Sequence, residues 1–383
     1  MTSSQAQIPA QEQGGATILE IGQQPDAWRE IAGETDEGLA RFIHGITARP
    51  GLRVILTGAG SSAFIGQIAA AALRRHLGCR VEAIATTDIV ATPRVHLEPD
   101  TPTLMVSFGR SGNSPESLAT TALADELVTD IWHLIYTCDR TGELGRAHSN
   151  RADSRVVYLP ERTNDTGFAM TSSLTSMLLS CLLSLGPARR GNVEALALAA
   201  ERVASLQPDI RALARTAPQR IVYLGSGSLA GLAQESALKL LELTAGVVVT
   251  YFDSPLGFRH GPKSVLDGCT LVVVYVSNDP YTRRYDLDIV AELRAQLGPD
   301  AVRVLSCEPI PQELGTATVL PGVAHLDDEQ AALPYLVFAQ YLALFTALEH
   351  GKTPDNPFPS GEVSRVVQGV TIHPVPSLDL EAR

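Results

Sequence analysis

The chain of 383 residues contains two copies of one structural unit, and this repeat constrains the fold more than any other feature. The first copy begins RVILTGAGSS at Arg53, and the second begins RIVYLGSGSL at Arg220. Each combines a short β-branched run, a Gly-x-Gly turn and an Ala/Leu-rich amphipathic stretch, which is typical of strand, tight turn and helix in a parallel sheet. Aligned on the glycines, Gly60 matches Gly227. We therefore predict an α/β protein with two tandem doubly wound parallel-sheet domains, flavodoxin-like or Rossmann-like.

The segments around the two copies differ from them in composition and periodicity. The N-terminus is polar, rich in glutamine and without the apolar core of a signal peptide, whereas the C-terminus is proline-rich and aperiodic. Pro218 closes a helical pattern between the copies. The predicted divisions are a disordered tail (1–20), a helical segment (21–50), the first α/β domain (51–190), a linking helix (191–217), the second domain (218–350) and an extended C-terminal arm (351–383).

Composition excludes several classes of protein. The formal net charge is −12, with 42 acidic against 30 basic residues, whereas nucleic-acid and anionic-membrane binders carry a basic surface. No run of about 18 apolar residues without charges occurs, so no transmembrane span is predicted. The five cysteines are odd in number and lack CxxC spacing, which favours reduced thiols in a cytoplasmic protein.

The two Gly-x-Gly turns do not fit a dinucleotide-binding site. Neither copy has the GxGxxG spacing, and Asp88 lies 28 residues after Gly60, where about 20 would be expected for an acid that binds ribose. No cofactor is predicted. The nine histidines are scattered, so no metal site is predicted either.

Hydroxyl groups in the first copy favour a phosphate site. Ser61 and Ser62 lie at the turn into a helix, and SFGRSGNSPES places Ser111 and Ser114 after a buried strand, with Pro115 opening the next helix. Free backbone N–H groups at helix N-termini bind phosphate without lysine. Such clusters also occur as plain turns, but two at the carboxyl ends of strands converge on the expected ligand crevice.

One helix of the second copy carries a charged stripe. Glu235, Lys239 and Glu242 in QESALKLLELTAG fall on one helical face, which is compatible with an exposed face held by Glu–Lys pairs or with an acid–base site. The first copy has Ile68, Ala72 and Arg75 at the equivalent positions. A stability motif has little reason to occur in one of two related helices, so the difference favours function.

These motifs resemble a known family. The paired units are similar to SIS (sugar isomerase) domains, and SFGRSGNSPES, ESALKLLE and FRHGP are similar to the phosphate loop, catalytic helix and ring-opening histidine of the isomerase half of glucosamine-6-phosphate synthase. GAGSSAF, NDTGFAMTSSLTSMLLS, SPLGFRHGPKS and SRVVQGV more closely resemble AgaS-type galactosamine-6-phosphate deaminase/isomerases of amino-sugar catabolism. The resemblance covers essentially Ile21 to Pro374.

The resemblance implies an acid–base set. Glu242 would be the base that moves a proton between C1 and C2 of the opened sugar, which requires a pKa raised by burial, and Lys239 would orient it or contact substrate hydroxyls. Glu235 would hold Lys239 or a ring hydroxyl. His260 would open the ring, in its own subunit or across a dimer, although a histidine capping a turn is the alternative.

The substrate-binding groups are implied in the same way. Ser62, Ser111 and Ser114 would hold the phosphate with Arg110 close by, and the helix start in GFAMTSSLT would lie over the sugar. The full predicted set is Ser61, Ser62, Arg110, Ser111, Ser114, Thr171 and Ser172. Where the synthase has a lysine that forms a Schiff base, this chain offers Arg365, which cannot form one at ordinary pH.

The resemblance therefore implies a catabolic reaction. No glutaminase domain with a leading cysteine is found, so ammonia is not expected to come from glutamine. The expected function is conversion of galactosamine-6-phosphate to tagatose-6-phosphate and ammonia, by a homodimer or higher homo-oligomer without nucleic-acid or membrane partners. Two alternatives stay open, an aldose–ketose phosphosugar isomerase without deamination and a non-catalytic phosphosugar-binding regulator.

Overall fold

The computed structural model describes residues 15–367 and 369–375 and contains two parallel β-sheets. The strands of the first sheet are β1 (Arg53–Thr57), β2 (Arg80–Ala83), β3 (Thr103–Gly109), β4 (Ile131–Thr137) and β5 (Ser154–Tyr158). The strands of the second are β6 (Arg220–Leu224), β7 (Val249–Asp253), β8 (Thr270–Tyr275), β9 (Val302–Ser306) and β10 (Thr318–Val319). Their orders, β2-β1-β3-β4-β5 and β10-β9-β8-β6-β7, are the same doubly wound topology. The predicted fold class is confirmed.

Helices flank both sheets. Those up to the end of the first half are α1 (Gly15–Gly22), α2 (Gln24–Gly33), α3 (Glu37–Thr47), α4 (Ser61–Leu77), α5 (Thr86–Ala91), α6 (Pro93–His96), α7 (Pro115–Leu127), α8 (Glu143–His148) and α9 (Ser172–Ser184). The others are α10 (Val193–Ser205), α11 (Gln207–Ala214), α12 (Ser228–Leu243), α13 (Pro255–Phe258), α14 (Thr282–Leu297) and α15 (Asp328–Glu349). Short 3₁₀ helices lie at Glu161–Thr163, Arg190–Asn192, Pro262–Val265, Pro299–Ala301 and Gln312–Leu314.

Strand register shows that the sequence repeat is also a structural repeat. Arg53 of β1 is paired with Thr103 of β3, and Arg220 of β6 is paired with Thr270 of β8. The loop after β3 therefore corresponds residue by residue to the loop after β8. In each half the strand order reverses between these two strands, which is where ligands bind in open α/β sheets.

The two halves share one core. Helix α12 packs against both α4 and α15, and the largest buried cluster includes residues of both halves. At Gly231 of α12, an added Cβ would lie 3.0 Å from the main-chain nitrogen of Ile68 in α4, so glycine permits this close approach. The first helix of each repeat therefore meets the other, which brings the two Gly-x-Gly turns to one region.

Helix α15 is long and apolar enough to cross a membrane by length and composition alone. However, 94% of its apolar window is buried inside the protein, as expected for a core helix. Nothing else in the described residues passes the same test.

Two predicted segments need correction. Helix α1 begins at Gly15, inside the predicted tail, because Asp355 accepts hydrogen bonds from the first turn, with Ala16 N at 3.0 Å and Thr17 N at 2.8 Å. The tail prediction is therefore wrong for residues 15–20, and residues 1–14 lie outside the described part. The linking helix is in fact two helices, since Pro208 opens a new first turn at α11.

Candidate active site

The turn between β1 and α4 depends on glycine. An added Cβ at Gly58 would lie 2.6 Å from Cβ of Ser62, and Gly60 has a φ of 55°. The chain can therefore turn sharply and start α4 at Ser61, directly at the carboxyl end of β1. Ser61 and Ser62 are both buried in the first turn of that helix.

The loop after β3 offers unused backbone donors. Within the part of the chain that the structure describes, the N–H groups of Ser111, Gly112 and Ser114 have no acceptor. The loop leads into α7, a helix of 13 residues whose N-terminus favours negative charge. The Ser114 hydroxyl donates to Oε2 of Glu116 at 2.8 Å. The free N–H groups and the helix N-terminus fit a loop that binds an anion such as phosphate better than they fit a plain turn.

The equivalent loop of the second half is already filled by carboxylates. The N–H of Ser277 donates to Oδ2 of Asp286 at 2.9 Å, and the N–H of Asn278 donates to Oδ1 of Asp328 at 2.7 Å. Asp286 also accepts the Ser226 hydroxyl at 2.6 Å, from the turn after β6. The protein's own carboxylates thus occupy the positions that an anion would take, so within these two loops only the first half keeps free N–H groups for one.

The charged stripe on α12 is buried. The side chains of Glu235 and Lys239 are 0% and 1% exposed, which excludes the exposed-face interpretation. Lys239 Nζ lies 3.5 Å from Oε1 of Glu235 and donates a hydrogen bond to Oε2 of Glu242, whose side chain is 26% exposed. Glu242 is therefore the member of the stripe that a ligand can reach.

Burial sets the protonation of the stripe. It raises the pKa of Glu235 to about 7, an effect that the neighbouring Lys239 charge partly offsets. Burial disfavours the ammonium form of Lys239, but the carboxylates of Glu235 and Glu242 outweigh it and hold the pKa above its ordinary value. The second oxygen of Glu235, Oε2, is buried without a hydrogen-bond partner. Burial thus raises the pKa of Glu235, which lies on the far side of Lys239 from Glu242.

This stripe contacts the first half at Ser61 and has Arg110 as a charged neighbour. The Ser61 hydroxyl donates to Oε1 of Glu235 at 3.2 Å, so it is used between the halves. Arg110, which is 6% exposed, lies close enough to Glu242 for that carboxylate to act on its pKa. The groups predicted for phosphate binding and for proton transfer therefore come from different halves and meet in one place.

The loop before α9 is organised by a residue that was not predicted. Asp165 is fully buried and accepts hydrogen bonds from the Thr171 N–H at 2.7 Å, the Ser172 hydroxyl at 2.5 Å and the Ser173 hydroxyl at 2.6 Å. Asp165 lies six residues before Thr171, the N-cap of α9, so it is not at the position where a capping residue is sought in a sequence. Because Asp165 satisfies Thr171 and Ser172, a direct contact of either hydroxyl with a sugar stays a prediction.

The same loop also contacts the turn between β1 and α4. The Ser62 hydroxyl points to Sδ of Met170 at 3.7 Å. Thioether sulfur is a weak acceptor, so this hydroxyl can exchange the contact for a ligand oxygen. The loop therefore covers Ser62 but leaves its hydroxyl available to a ligand.

His260 is not brought to the other predicted groups. It lies exposed after α13, where its N–H donates to the Gly257 carbonyl at 2.9 Å, and its ring makes no hydrogen bond or ion pair with any described residue. Gly261, with a φ of 113°, lets the chain turn after it. Its ring-opening role stays a prediction, and no contact within one chain links it to Glu242.

Other reactive groups are not assembled into a second centre. Over residues 15–367 and 369–375, no group of three or more His, Cys, Asp or Glu side chains is placed to hold a metal ion. The five cysteines are unpaired, and burial raises the pKa of the Cys138 thiol to about 12, so that it is not an activated nucleophile. The candidate groups that meet in this site are therefore carboxyl, ammonium and guanidinium groups.

Comparison with known proteins agrees with this geometry. Residues 49–185 match the SIS domain. D-galactosamine-6-phosphate deaminase AgaS of Shewanella sp. (strain ANA-3) is 44% identical over 94% of this chain and 92% of its own. The chain belongs to the AgaS family of SIS-domain proteins. A Streptomyces coelicolor member, provisionally given the same deaminase name, is 52% identical over 97% of this chain and 99% of its own.

A solved structure extends the comparison to three dimensions. Tagatose-6-phosphate ketose/aldose isomerase from Escherichia coli superposes with a TM-score of 0.87 at 43% identity, and the match covers 94% of this chain and 96% of that one. The AgaS-type resemblance drawn from the motifs is therefore confirmed. This family consists of phosphosugar deaminases and isomerases by the names of its members.

Proposed function

We propose that this protein converts galactosamine-6-phosphate and water to tagatose-6-phosphate and ammonia. One observation carries the proposal: the first turn of α4 contacts the carboxyl–ammonium–carboxyl stripe of α12 through Ser61, and Arg110, at the start of the loop with unused backbone N–H groups, lies near the same stripe. The loop fits a phosphate monoester, and the stripe fits proton transfer at a sugar carbon. The choice of an amino sugar as substrate rests on relatives that match nearly the whole chain and are named as deaminases.

The proposed reaction has four balanced steps. Ring opening moves a proton from the anomeric hydroxyl to the ring oxygen and gives a 2-amino aldehyde. Glu242 then removes the proton from C2 while the C1 oxygen is protonated, and returning a proton to C1 with loss of a proton from the nitrogen leaves a 2-imine whose C1 carries the hydroxyl of the ketose. Water adds to C2, and the nitrogen leaves as ammonia with the proton that water supplies. No electron is gained or lost overall.

The neighbours of Glu242 would control where it points. Lys239, whose pKa lies above its ordinary value, remains an ammonium at neutral pH and donates to Glu242. Glu235, whose pKa is near 7, holds Lys239 from behind and can share a proton with it. In this proposal both are positioning residues, and Glu242 alone touches the reacting carbon.

His260 would act on the ring oxygen from a second subunit. It is exposed, and shortly before it in the sequence are exposed apolar side chains in and around the edge strand β7, namely Val247, Val249, Phe252 and Leu256. Exposed apolar side chains of this kind favour contact with another copy. We therefore propose a homodimer, in a reducing cytoplasm to which the unpaired cysteines are suited.

The test is to incubate purified protein with galactosamine-6-phosphate and to measure free ammonia and ketose phosphate together. Equal amounts of both are expected. If no ammonia is released but unaminated galactose-6-phosphate is converted to ketose phosphate, the result would support the alternative, an isomerase. The name of the Escherichia coli structure favours that alternative. No turnover of either sugar, with binding of both, would favour a phosphosugar-binding regulator.

A further inference from the structure

Arg110 is a buried guanidinium without a carboxylate partner. It is 6% exposed, and among the described residues no carboxylate oxygen lies within 4.0 Å of it. Its hydrogen bonds go to main-chain oxygens, to that of Phe168 at 3.4 Å and to that of Arg365 at 3.2 Å. A buried charge without a counterion is costly, so this position is expected to receive an anion.

A second cation comes to the same place from the C-terminal arm. The Arg365 guanidinium donates to the main-chain oxygen of Asp165, and it makes no ion pair within the described part of the chain. Burial, and then the Arg365 charge, lower the pKa of Arg110 to about 10. Two guanidinium groups thus lie near each other without a direct ion pair, and the carboxylates of Asp165 and Glu242 compensate Arg110 only from a greater distance.

The arm is anchored before it reaches this point. Asp355 holds the first turn of α1, and the Phe358 ring packs 5.3 Å from the Phe168 ring, measured between centroids. Arg365 follows ten residues after the first anchor and lies on the loop that Asp165 organises. Arg365 is exposed, but its guanidinium is held against this loop by the hydrogen bond to the main-chain oxygen of Asp165.

Other arginines of the chain show what an ordinary environment looks like. Arg29 is 2.8 Å from a carboxylate oxygen of Glu194, and Arg151 is 2.6 Å from one of Asp125. Arg53 and Arg110 are the buried arginines of the described residues, and Arg53 lies 2.6 Å from a carboxylate oxygen of Glu82 whereas Arg110 has no such partner. Planar guanidinium groups bind phosphate oxygens in pairs, with charge assistance.

We propose that Arg110 and Arg365 form a two-arginine clamp on the phosphate group of the substrate, with Arg365 delivered by the C-terminal arm. The clamp rests on the proposed function for the identity of the anion. It complements the unused N–H groups of Ser111 and Gly112, which approach the phosphate from the loop after β3. Arg365 is then a specificity-determining residue that distinguishes phosphorylated from unphosphorylated sugar.

The test measures binding of unreactive probes by calorimetry. Galactitol 6-phosphate and galactitol are open-chain sugar alcohols that can neither isomerise nor lose ammonia. In Arg365→Gln, the Kd for galactitol 6-phosphate is expected to rise about tenfold or more, while the weak binding of galactitol stays unchanged. Arg365→Lys, which keeps the charge but loses the planar fork, is expected to lie between Gln and wild type.

Arg41→Gln is the matched control, because it removes one positive charge from an exposed side chain on α3. It should leave both Kd values unchanged. Equal weakening of the two probes in Arg365→Gln would mean that the residue only packs the arm, and would overturn the clamp. If the Kd for galactitol 6-phosphate is unchanged while kcat on galactosamine-6-phosphate falls, Arg365 acts on negative charge that develops in the reaction and not on the phosphate. That result would also overturn the clamp.

The outcome is separable from that of the proposed function. The probes do not react, so the clamp can be supported even if no ammonia is released from galactosamine-6-phosphate. Conversely, ammonia release with an unaltered Kd in Arg365→Gln would leave the proposed function intact and remove the clamp. The thermal midpoint of ligand-free Arg365→Gln should not fall, since the variant removes a repulsion from Arg110.

Discussion

At the scale of the residue, the site separates one exposed carboxyl group from one buried one. Glu242 is at the crevice and Glu235 lies behind Lys239 with its pKa raised to about 7 by burial. Three charges in a row on a buried helix face would be destabilising as independent groups, but the ammonium between two carboxyl groups compensates them. This arrangement allows the exposed carboxylate to be held in position by the buried pair.

Glu242→Gln tests the role of the exposed carboxyl group. Amide replaces carboxylate at nearly the same size, so turnover of galactosamine-6-phosphate is expected to fall by about 10²- to 10⁴-fold. The Kd for galactitol 6-phosphate should stay unchanged, because that probe is held by the phosphate loop. Steady-state ammonia release measures the first quantity and calorimetry the second.

The matched control is Glu37→Gln, the same chemical change at an exposed position on α3. It should behave as wild type in both measurements. If Glu242→Gln keeps full turnover, Glu242 is not the base, and Glu235 becomes the next candidate.

At the scale of the element, the short helix α8 and the strands beside it contain a buried histidine pair far from the acid–base stripe in sequence. The rings of His133 and His148 are 4.6 Å apart, His133 lies 2.9 Å from Asp125, and His148 lies 2.9 Å from the Ser154 hydroxyl. Burial, with the nearby His133 and Arg151 charges, lowers the pKa of His148 to about 4. A neutral imidazole is therefore built into this part of the fold.

His148 predicts a pH dependence of stability. Between pH 6.5 and 4 the unfolded state binds the His148 proton and the folded state does not, so the free energy of unfolding falls as the pH is lowered through that window. The loss attributable to this group is about 3 kcal/mol at most. Urea denaturation at pH 7.5 and pH 4.5 measures it.

His148→Gln should reduce this acid sensitivity, and His76→Gln, on the exposed end of α4, should leave it unchanged. The comparison uses the difference between the two pH values, so that the cost of the substitution itself cancels. An equal acid loss in wild type and His148→Gln would show that other groups cause it.

At the scale of the whole molecule, we propose that one chain does not complete its own site, because His260 is exposed and its ring makes no hydrogen bond or ion pair with the stripe. The apolar side chains around β7 lie next to α13 in the sequence, so a contact made there would carry His260 towards another copy. A functional unit of two chains would then have two equivalent sites, each built from both.

Mixing two inactive variants tests this arrangement. His260→Asn and Glu242→Gln proteins, unfolded together and refolded in equal amounts, should regain about a quarter of wild-type activity, since half the dimers would be mixed and each would hold one intact site. Ammonia release measures the activity, and light scattering on a sizing column measures the mass. Each variant refolded alone is the control, and a dimeric mixture without regained activity would place His260 in the site of its own chain.

The sequence by itself determined the fold class, the two repeats and the positions of the candidate groups. This was possible because strand, turn and helix signals are local, and because the second repeat is a built-in comparison: Arg75 against Glu242, or Ala72 against Lys239, marked the stripe as specific to one half. The serine-rich loop after β3 could be located for the same reason, since its serines follow a strand and precede a helix.

Only the tertiary structure decided which of these groups are buried, paired or left free. The Ser61–Glu235 contact joins residues 174 apart in the chain, and Arg365 reaches Asp165 across 200 residues. Spacing on one helix cannot reveal such contacts, because burial and pKa depend on what packs against the helix from elsewhere. For that reason the capping by Asp165, the filling of the second crevice by Asp286 and the approach of Arg365 to Arg110 became visible only when the chain was folded.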